Sequence, residues 1–127
     1  DIAGMRILLV EDNEINREIV EFILQEAGAE VVTAVNGKAA ADVFAASSPG
    51  TFDCVLMDLM MPVMSGYEAA RVIRSLARAD ARTVPIIALS ANAFEEDVAL
   101  AKDAGMNGHL AKPVDIRKMF RLMSSLR

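Results

Sequence analysis

The chain has 127 residues and a formal net charge of −5, and 54% of its residues are hydrophobic, which predicts one acidic globular domain spanning residues 1–127. A single cysteine and a single histidine exclude a disulfide framework and a metal site built from several cysteines or histidines, and the acidic balance argues against direct nucleic-acid binding. The apolar runs are far shorter than the roughly 18 residues of a membrane helix, and the N-terminus shows no signal-peptide pattern, so we expect a cytoplasmic domain without membrane contact.

Five short aliphatic runs alternate with segments of helical period along the chain. Their apolar residues are continuous rather than alternating, as in a parallel sheet that is buried on both faces. The pattern therefore predicts an α/β fold with a doubly wound, five-stranded parallel sheet and right-handed crossovers. The predicted strands, in chain order, cover residues 6–10, 30–34, 53–57, 85–89 and 108–110.

Five helices are predicted from apolar residues at helical spacing and from the residues at their ends. The first helix places Ile15, Ile19, Phe22, Ile23 and Ala27 on one stripe. The first helix runs from the Asn13 cap to about Gly28 and the second from about 38 to 46. The third covers residues 67–77, the fourth includes Phe94 and ends at Gly105, and the fifth begins after the Asp115 cap.

Polar side chains follow several of these strands at the point where each strand ends. Glu11 and Asp12 follow the first strand, Asp58 the third, Ser90 the fourth and Lys112 the fifth. Because the carboxyl ends of parallel strands meet at one edge of a sheet, we expect these side chains to converge there.

Three crowded carboxylates repel one another, and a hard divalent cation with oxygen ligands offsets this repulsion best. Magnesium takes one or two carboxylates and leaves positions for phosphoryl oxygens. One carboxylate can then attack phosphorus to form an acyl phosphate. The Lys112 ammonium and the Ser90 hydroxyl can stabilise the negative charge on the transferred group. An acidic cluster is often only a solvated face, and Glu11 with Asp12 alone would suit that interpretation.

Four motifs carry a resemblance to a known family: LVEDN at 9–13, MDLMMP at 57–62 with Gly66, ALSA at 88–91 and LAKP at 110–113. With them the chain resembles the receiver domain of two-component response regulators, from Arg6 to Leu126. The segments EDNEINR at 11–17, 88–94 and AGMNG at 104–108 resemble receivers fused to hybrid sensor histidine kinases. Receivers of stand-alone or DNA-binding regulators share parts of these segments and remain the alternative.

The resemblance implies a flavodoxin-like sheet with strand order 2-1-3-4-5 and five helices. It also implies that Asp58 is the phosphoacceptor. Asp12, Asp58 and the backbone carbonyl of Met60 become direct Mg²⁺ ligands, while Glu11 holds the ion mainly through water.

Three further residues gain roles from the resemblance. Lys112 pairs with the acceptor and then with the phosphoryl group, and a cis bond before Pro113 aims it inward. Ser90 moves to bond a phosphoryl oxygen in the switching step. His109 stands where the family usually has a Tyr or Phe that turns inward. Either it is a reduced switch, or Ser90 and the loop after it carry the change, or it is an exposed strand-end histidine without a role.

The resemblance implies a switch rather than an enzyme, with only Mg²⁺-dependent self-phosphorylation and autodephosphorylation. A phosphohistidine on a histidine kinase or a phosphotransfer domain would donate to Asp58, with the first helix as the docking face. The fourth predicted helix, the fifth strand and the last helix would form an output or homodimer surface. Met60 and Asn92 lie where members of the family differ in the rate of acyl phosphate hydrolysis.

Three alternatives use similar features. A phosphatase of the haloacid dehalogenase kind needs a second Asp two positions after its nucleophile, where this chain has Met60. A pseudo-receiver, which binds partners but is never phosphorylated, typically loses an acidic residue or the lysine, and this chain keeps them. A flavodoxin needs a Ser/Thr-rich loop after its first strand, which is missing here.

Overall fold

A computed structural model of the chain describes the backbone of residues 1–91 and 95–127 and the side chains of residues 1–91 and 97–127. Asn92, a residue beside the acceptor in the resemblance, and Phe94, on a predicted helix, lie outside the described residues. The strands are β1 (Arg6–Val10), β2 (Glu30–Ala34), β3 (Cys54–Asp58), β4 (Ile86–Ser90) and β5 (Gly108–Ala111). The described helices are α1 (Glu14–Glu26), α2 (Gly37–Ala46), α3 (Gly66–Arg74), α4 (Asp80–Thr83), α5 (Glu95–Asp103) and α6 (Ile116–Leu126).

All five strands are parallel and lie in the order β2-β1-β3-β4-β5, which confirms the predicted fold and strand order. The predicted number of helices was wrong, because the short α4 makes six in the described ranges. The helix cap predictions hold: the side chains of Asn13 and Asp115 accept backbone N–H groups of Asn16 and Lys118 in the first turns of α1 and α6.

Strands β3 and β4 each begin and end one residue later than predicted, and β5 ends one residue later. Asp53 is outside β3, and its carboxylate accepts the backbone N–H of Arg6 at 2.8 Å. Asp58 and Ser90 are therefore the last residues of their strands, rather than the residues that follow them.

Part of the predicted apolar stripe of α1 faces solvent. Ile15, Ile19 and Phe22 are 69%, 53% and 62% exposed, whereas Leu24 is fully buried. Positions 15, 19 and 22 form one line along a helix, and positions 20, 24 and 27 form the neighbouring line that meets the sheet. The apolar arc of α1 is thus wider than the face that the sheet covers.

The third helix ends at Arg74, before the predicted residue Ala77, and the chain then forms α4. Two arginine side chains fix this segment, and most of their partners lie far away along the chain. Arg74 donates to the carbonyl oxygens of Gly105 and Ala81, and Arg78 donates to that of Ser47 and lies over the ring of Phe44. Such contacts between distant segments leave no local pattern in the sequence.

The core has two layers, one on each face of the sheet. Buried residues of α2, α3, α4 and α5 pack on one face, and those of α1 and α6 pack on the other. Cys54 is a core residue, as expected, and its burial, together with the neighbouring Asp53 charge, raises the pKa of its thiol to about 12. Within the described ranges, no helix has both the length and the apolar character to cross a lipid bilayer.

We predict that the Asp80→Asn substitution lowers the free energy of unfolding in a pH-dependent way. Arg78 donates to both carboxylate oxygens of Asp80, at 2.6 and 2.8 Å, and this hydrogen bonding lowers the pKa of Asp80 from 3.8 to about 2. The stabilisation is present above the unfolded pKa and is lost as the pH falls from about 4 towards about 2. Urea unfolding measures this: the difference in free energy of unfolding between wild type and variant should decrease from pH 6 to pH 3.

The matched control is Asp42→Asn, which removes a carboxylate from an exposed ion pair with Lys38. Its effect on stability should be small, because exposed pairs contribute little. If the difference in free energy of unfolding between wild type and Asp80→Asn stayed constant down to pH 3, this would contradict the prediction.

Candidate functional site

The carboxyl ends of the central strands bring the predicted site residues to one edge of the sheet. Asp58 lies level with Leu89 across the β3–β4 pair, and Ser90 lies level with Ala111 across β4–β5. The backbone N–H of Lys112 donates to the carbonyl oxygen of Ser90 at 2.7 Å. The register of the sheet therefore sets the relative positions of the acidic, hydroxyl and ammonium groups.

Three carboxylates meet at this edge. Oxygen atoms of Glu11, Asp12 and Asp58 lie within 4.8 Å of one another. Glu11 and Asp58 are buried, whereas Asp12 is exposed, and its carboxylate makes no hydrogen bond or ion pair with the part of the chain that the structure describes. A set of carboxylate oxygens is the donor set of a hard divalent cation.

The Lys112 ammonium bridges the two buried carboxylates. Its Nζ atom donates to Glu11 Oε1 at 2.8 Å and to Asp58 Oδ2 at 3.0 Å. Burial of Lys112 opposes its charged form, but its two hydrogen bonds and the negative charges of Glu11 and Asp58 together outweigh this effect, so the pKa of Lys112 is raised. The peptide bond between Lys112 and Pro113 is cis, as the resemblance implies.

Glu11 is held through all of its polar groups. Its N–H donates to the Ala34 carbonyl oxygen at 3.1 Å, and its Oε1 accepts from Lys112. Its Oε2 accepts the N–H of Asn13 at 3.2 Å, and its carbonyl oxygen accepts from Arg17 Nη1 at 3.0 Å. Arg17 has no role in the sequence-based prediction, although a cation one turn into the helix after an acidic loop is a visible signal.

The loop after Asp58 is held by a close backbone approach. A Cβ atom on Gly66 would collide with the carbonyl oxygen of Asp58, so this position needs glycine. The N–H of Gly66 donates to the Leu59 carbonyl oxygen at 3.0 Å. Met60 is 75% exposed, and its N–H lies 3.4 Å from Asp58 Oδ1. The loop thus returns to the end of β3 and leaves the Met60 side chain in solvent.

Ser90 and His109 are in contact across β4 and β5. A hydrogen bond of 2.8 Å joins Ser90 Oγ to His109 Nε2. Ser90 is buried and His109 is half-buried, so the histidine is not the fully exposed strand-end residue of the alternative interpretation.

An apolar groove adjoins the acidic edge between α1 and α6. Its volume is about 610 Å³, and it reaches both Glu11 and Lys112. The exposed side chain of Ile19 belongs to its lining, and Ile15 and Phe22 stand on the same line of α1. A partner that covers this groove would therefore lie beside the carboxylates. The remaining lining residues are Asn16, Val20, Ile23, Leu89, Ala91, Pro113, Val114 and Ile116.

Residues 7–124 match the family described as the response regulator receiver domain. The chain belongs to this family. Among curated relatives, the peroxide stress-activated histidine kinase mak1 of Schizosaccharomyces pombe is 35% identical over 98% of this chain. Hybrid signal transduction histidine kinase I of Dictyostelium discoideum is 30% identical over 94% of it. The chain spans only 8% and 7% of these two kinases.

Solved structures agree with this membership. The receiver domain of sensor histidine kinase PA1611 from Pseudomonas aeruginosa, solved with a magnesium ion coordinated in its active site cleft, is 40% identical. The two chains cover 98% of each other with a TM-score of 0.85. Chemotaxis protein CheY4 of Vibrio cholerae is 29% identical with a TM-score of 0.88, over 98% of this chain and all of its own.

Membership of the family confirms the prediction of a phosphorelay receiver, which works with a phosphodonor partner. The same membership sets aside the phosphatase and flavodoxin alternatives.

Proposed function

We propose that Asp58 accepts a phosphoryl group from a phosphohistidine and that the acyl phosphate switches the conformation of the domain. One observation carries the proposal: the Asp58 carboxylate is buried at a strand end between a bridging ammonium and two further carboxylates. A buried nucleophile beside a cation and a cation-binding oxygen set suits attack on phosphorus.

In the transfer step, one carboxylate oxygen of Asp58 attacks phosphorus as the bond from phosphorus to the donor imidazole nitrogen breaks. The imidazole leaves with the bonding electron pair and takes up a proton from water. Lys112 moves its hydrogen bond from the Asp58 carboxylate to an oxygen of the transferred group. There its ammonium stabilises the negative charge of the phosphoryl group. Water later cleaves the acyl phosphate, releasing inorganic phosphate and restoring the carboxylate.

The carboxylates fit Mg²⁺, because oxygens of Glu11, Asp12 and Asp58 are gathered within 4.8 Å. Asp12, Asp58 and the backbone carbonyl of Met60 would hold the ion directly, and Glu11 would hold it through water. When bound, the ion supplies positive charge to the phosphoryl oxygens. The magnesium in the cleft of the PA1611 receiver supports this assignment.

Ser90 and His109 form the switch in this proposal. The hydroxyl of Ser90 now bonds His109 at 2.8 Å, on the side of β5. When it turns to a phosphoryl oxygen it gives up that bond, so the ring of His109 changes partner in the same step. The hydrogen bond thus couples the acceptor site to the face formed by α5, β5 and α6.

The parent protein is proposed to be a hybrid sensor histidine kinase, with residues 1–127 as a single cytoplasmic receiver domain. The kinase relatives support this origin over the receiver of a stand-alone or DNA-binding regulator. As an isolated domain the chain would carry out only self-phosphorylation and autodephosphorylation. The face of α5, β5 and α6 is the proposed homodimer surface, where Val98 is 42% exposed and lines a cavity with Gly108 and His109.

We predict that wild type incubated with acetyl phosphate and Mg²⁺ gains a single phosphoryl adduct, which Asp58→Asn does not form. The amide is a far weaker nucleophile than the carboxylate, and removing Mg²⁺ with EDTA should also abolish the adduct. Intact mass spectrometry measures the outcome. Asp53→Asn, at the opposite end of β3, is the matched control and should keep the adduct; an adduct that persists in Asp58→Asn would contradict the assignment.

The exposed line of α1 is the proposed docking surface for the donor domain. Ile15, Ile19 and Phe22 offer apolar contact area beside the groove that reaches Glu11 and Lys112. A donor helix seated there would bring its phosphohistidine to the acceptor edge. This placement uses the part of α1 that the sheet leaves uncovered.

We predict that Phe22→Ser slows phosphoryl transfer from a phosphorylated phosphotransfer domain by about tenfold. The exposed ring of Phe22 becomes buried when the donor docks, and the substitution removes this aromatic contact. Phosphorylation by acetyl phosphate should not change, since this small donor needs no docking surface. Rapid-quench kinetics with both donors measures the two rates. The control is Val32→Ser on β2, whose side chain is 45% exposed; an unchanged transfer rate in Phe22→Ser would contradict the docking surface.

A further inference from the structure

We infer that Arg17 is a positioning residue for the cation site, because it fixes the peptide group that aims Asp12 into that site. The inference rests on the proposed function and adds a residue to it. Arg17 Nη1 donates to the carbonyl oxygen of Glu11 at 3.0 Å. Arg17 is half-buried, whereas its neighbours in the first turn of α1 are exposed.

The carbonyl oxygen of Glu11 belongs to the peptide group that joins Glu11 to Asp12. This group is planar, so a hydrogen bond that fixes its oxygen also fixes the direction in which the chain enters Asp12. The Asp12 carboxylate has no hydrogen bond or ion pair of its own in the ranges described. The backbone sets the direction of the Asp12 Cα–Cβ bond, from which the carboxylate reaches the site, and Arg17 holds that backbone.

The base of the Arg17 side chain is itself fixed. Its backbone N–H donates to the Asn13 carbonyl oxygen at 2.9 Å, and the Asn13 side chain caps α1 by accepting the N–H of Asn16 at 2.9 Å. The side chain therefore starts from a fixed point, and its planar guanidinium loses less conformational entropy per hydrogen bond than a lysine ammonium would. Arg17 thus links the first turn of α1 to the acidic loop.

The charge of Arg17 has the opposite effect on a cation. A guanidinium near three carboxylates repels Mg²⁺, so removing its charge would tighten binding if electrostatics decided the outcome. Positioning predicts the reverse, because a metal ligand that loses its supporting hydrogen bonds binds less well. The sign of the change in Mg²⁺ affinity therefore separates the two effects.

The experiment is calorimetric titration of the whole chain with MgCl₂. Arg17→Gln should raise the dissociation constant for Mg²⁺ by about tenfold, as is typical when a residue supporting a metal ligand is lost. Arg17→Lys keeps the charge but loses the planar fork, and we expect a smaller rise of about threefold. Arg6→Gln is the matched control: it removes the same charge from an exposed ion pair at the opposite end of β1, and it should leave the affinity unchanged.

A second measurement separates positioning from a purely structural role. Urea unfolding in EDTA should give similar stability for wild type and Arg17→Lys, while their Mg²⁺ affinities differ. An affinity in Arg17→Gln that equals or exceeds that of wild type would overturn the inference. If Arg17→Gln fails to fold, Arg17→Lys decides the matter alone, and a wild-type affinity in that variant would overturn it.

Failure of this inference can be told apart from failure of the proposed function. At saturating Mg²⁺, Arg17→Gln should still form the phosphoryl adduct on Asp58, because Arg17 does not touch the reacting atoms. A wild-type chain that binds Mg²⁺ but forms no adduct would count against the phosphoacceptor role, while the affinities would still decide the role of Arg17.

Discussion

The ion pairs of Lys112 with Glu11 and Asp58 are the interaction on which the acidic edge depends. Two buried carboxylates at neighbouring strand ends repel each other, and a charge in such a place is costly unless it is paired and hydrogen-bonded. The ammonium group supplies both, at 2.8 and 3.0 Å. The exposed Asp12 adds a third negative charge that Lys112 does not bond, so the edge retains an affinity for a further cation.

In the proposed function, the same arrangement lets a small domain act as a switch. Without ligands, Lys112 offsets part of the negative charge of the carboxylates. A cation and a phosphoryl group change this charge balance, so the free energy of the site depends on its ligands. Lys112 and Ser90 are linked through the backbone, and Ser90 is linked to His109 through its hydroxyl. A change at Asp58 therefore has a short physical route to β5.

Much of the architecture could be predicted from the sequence, because buried parallel strands leave continuous apolar runs and helix caps leave polar residues at set positions. The convergence of Asp58 and Lys112 followed from the parallel order alone. The short helix α4 was missed, because the hydrogen bonds of Arg74 and Arg78 reach distant segments. The exposed side of α1 was missed because an apolar arc does not reveal how much of it the sheet covers, and Arg17 because its partner is a backbone oxygen.

The most direct test of this account is the stability of Lys112→Met, measured by urea unfolding with and without Mg²⁺. In EDTA the variant should lose about 3 kcal/mol, because two buried carboxylates lose their counterion. Mg²⁺ should then stabilise it more than it stabilises wild type, since the ion replaces the missing charge. Lys118→Met, which replaces an exposed side chain on α6, should change neither the stability in EDTA nor the gain in stability from Mg²⁺. Equal stability of Lys112→Met and wild type in EDTA, with an equal gain from Mg²⁺, would contradict the account.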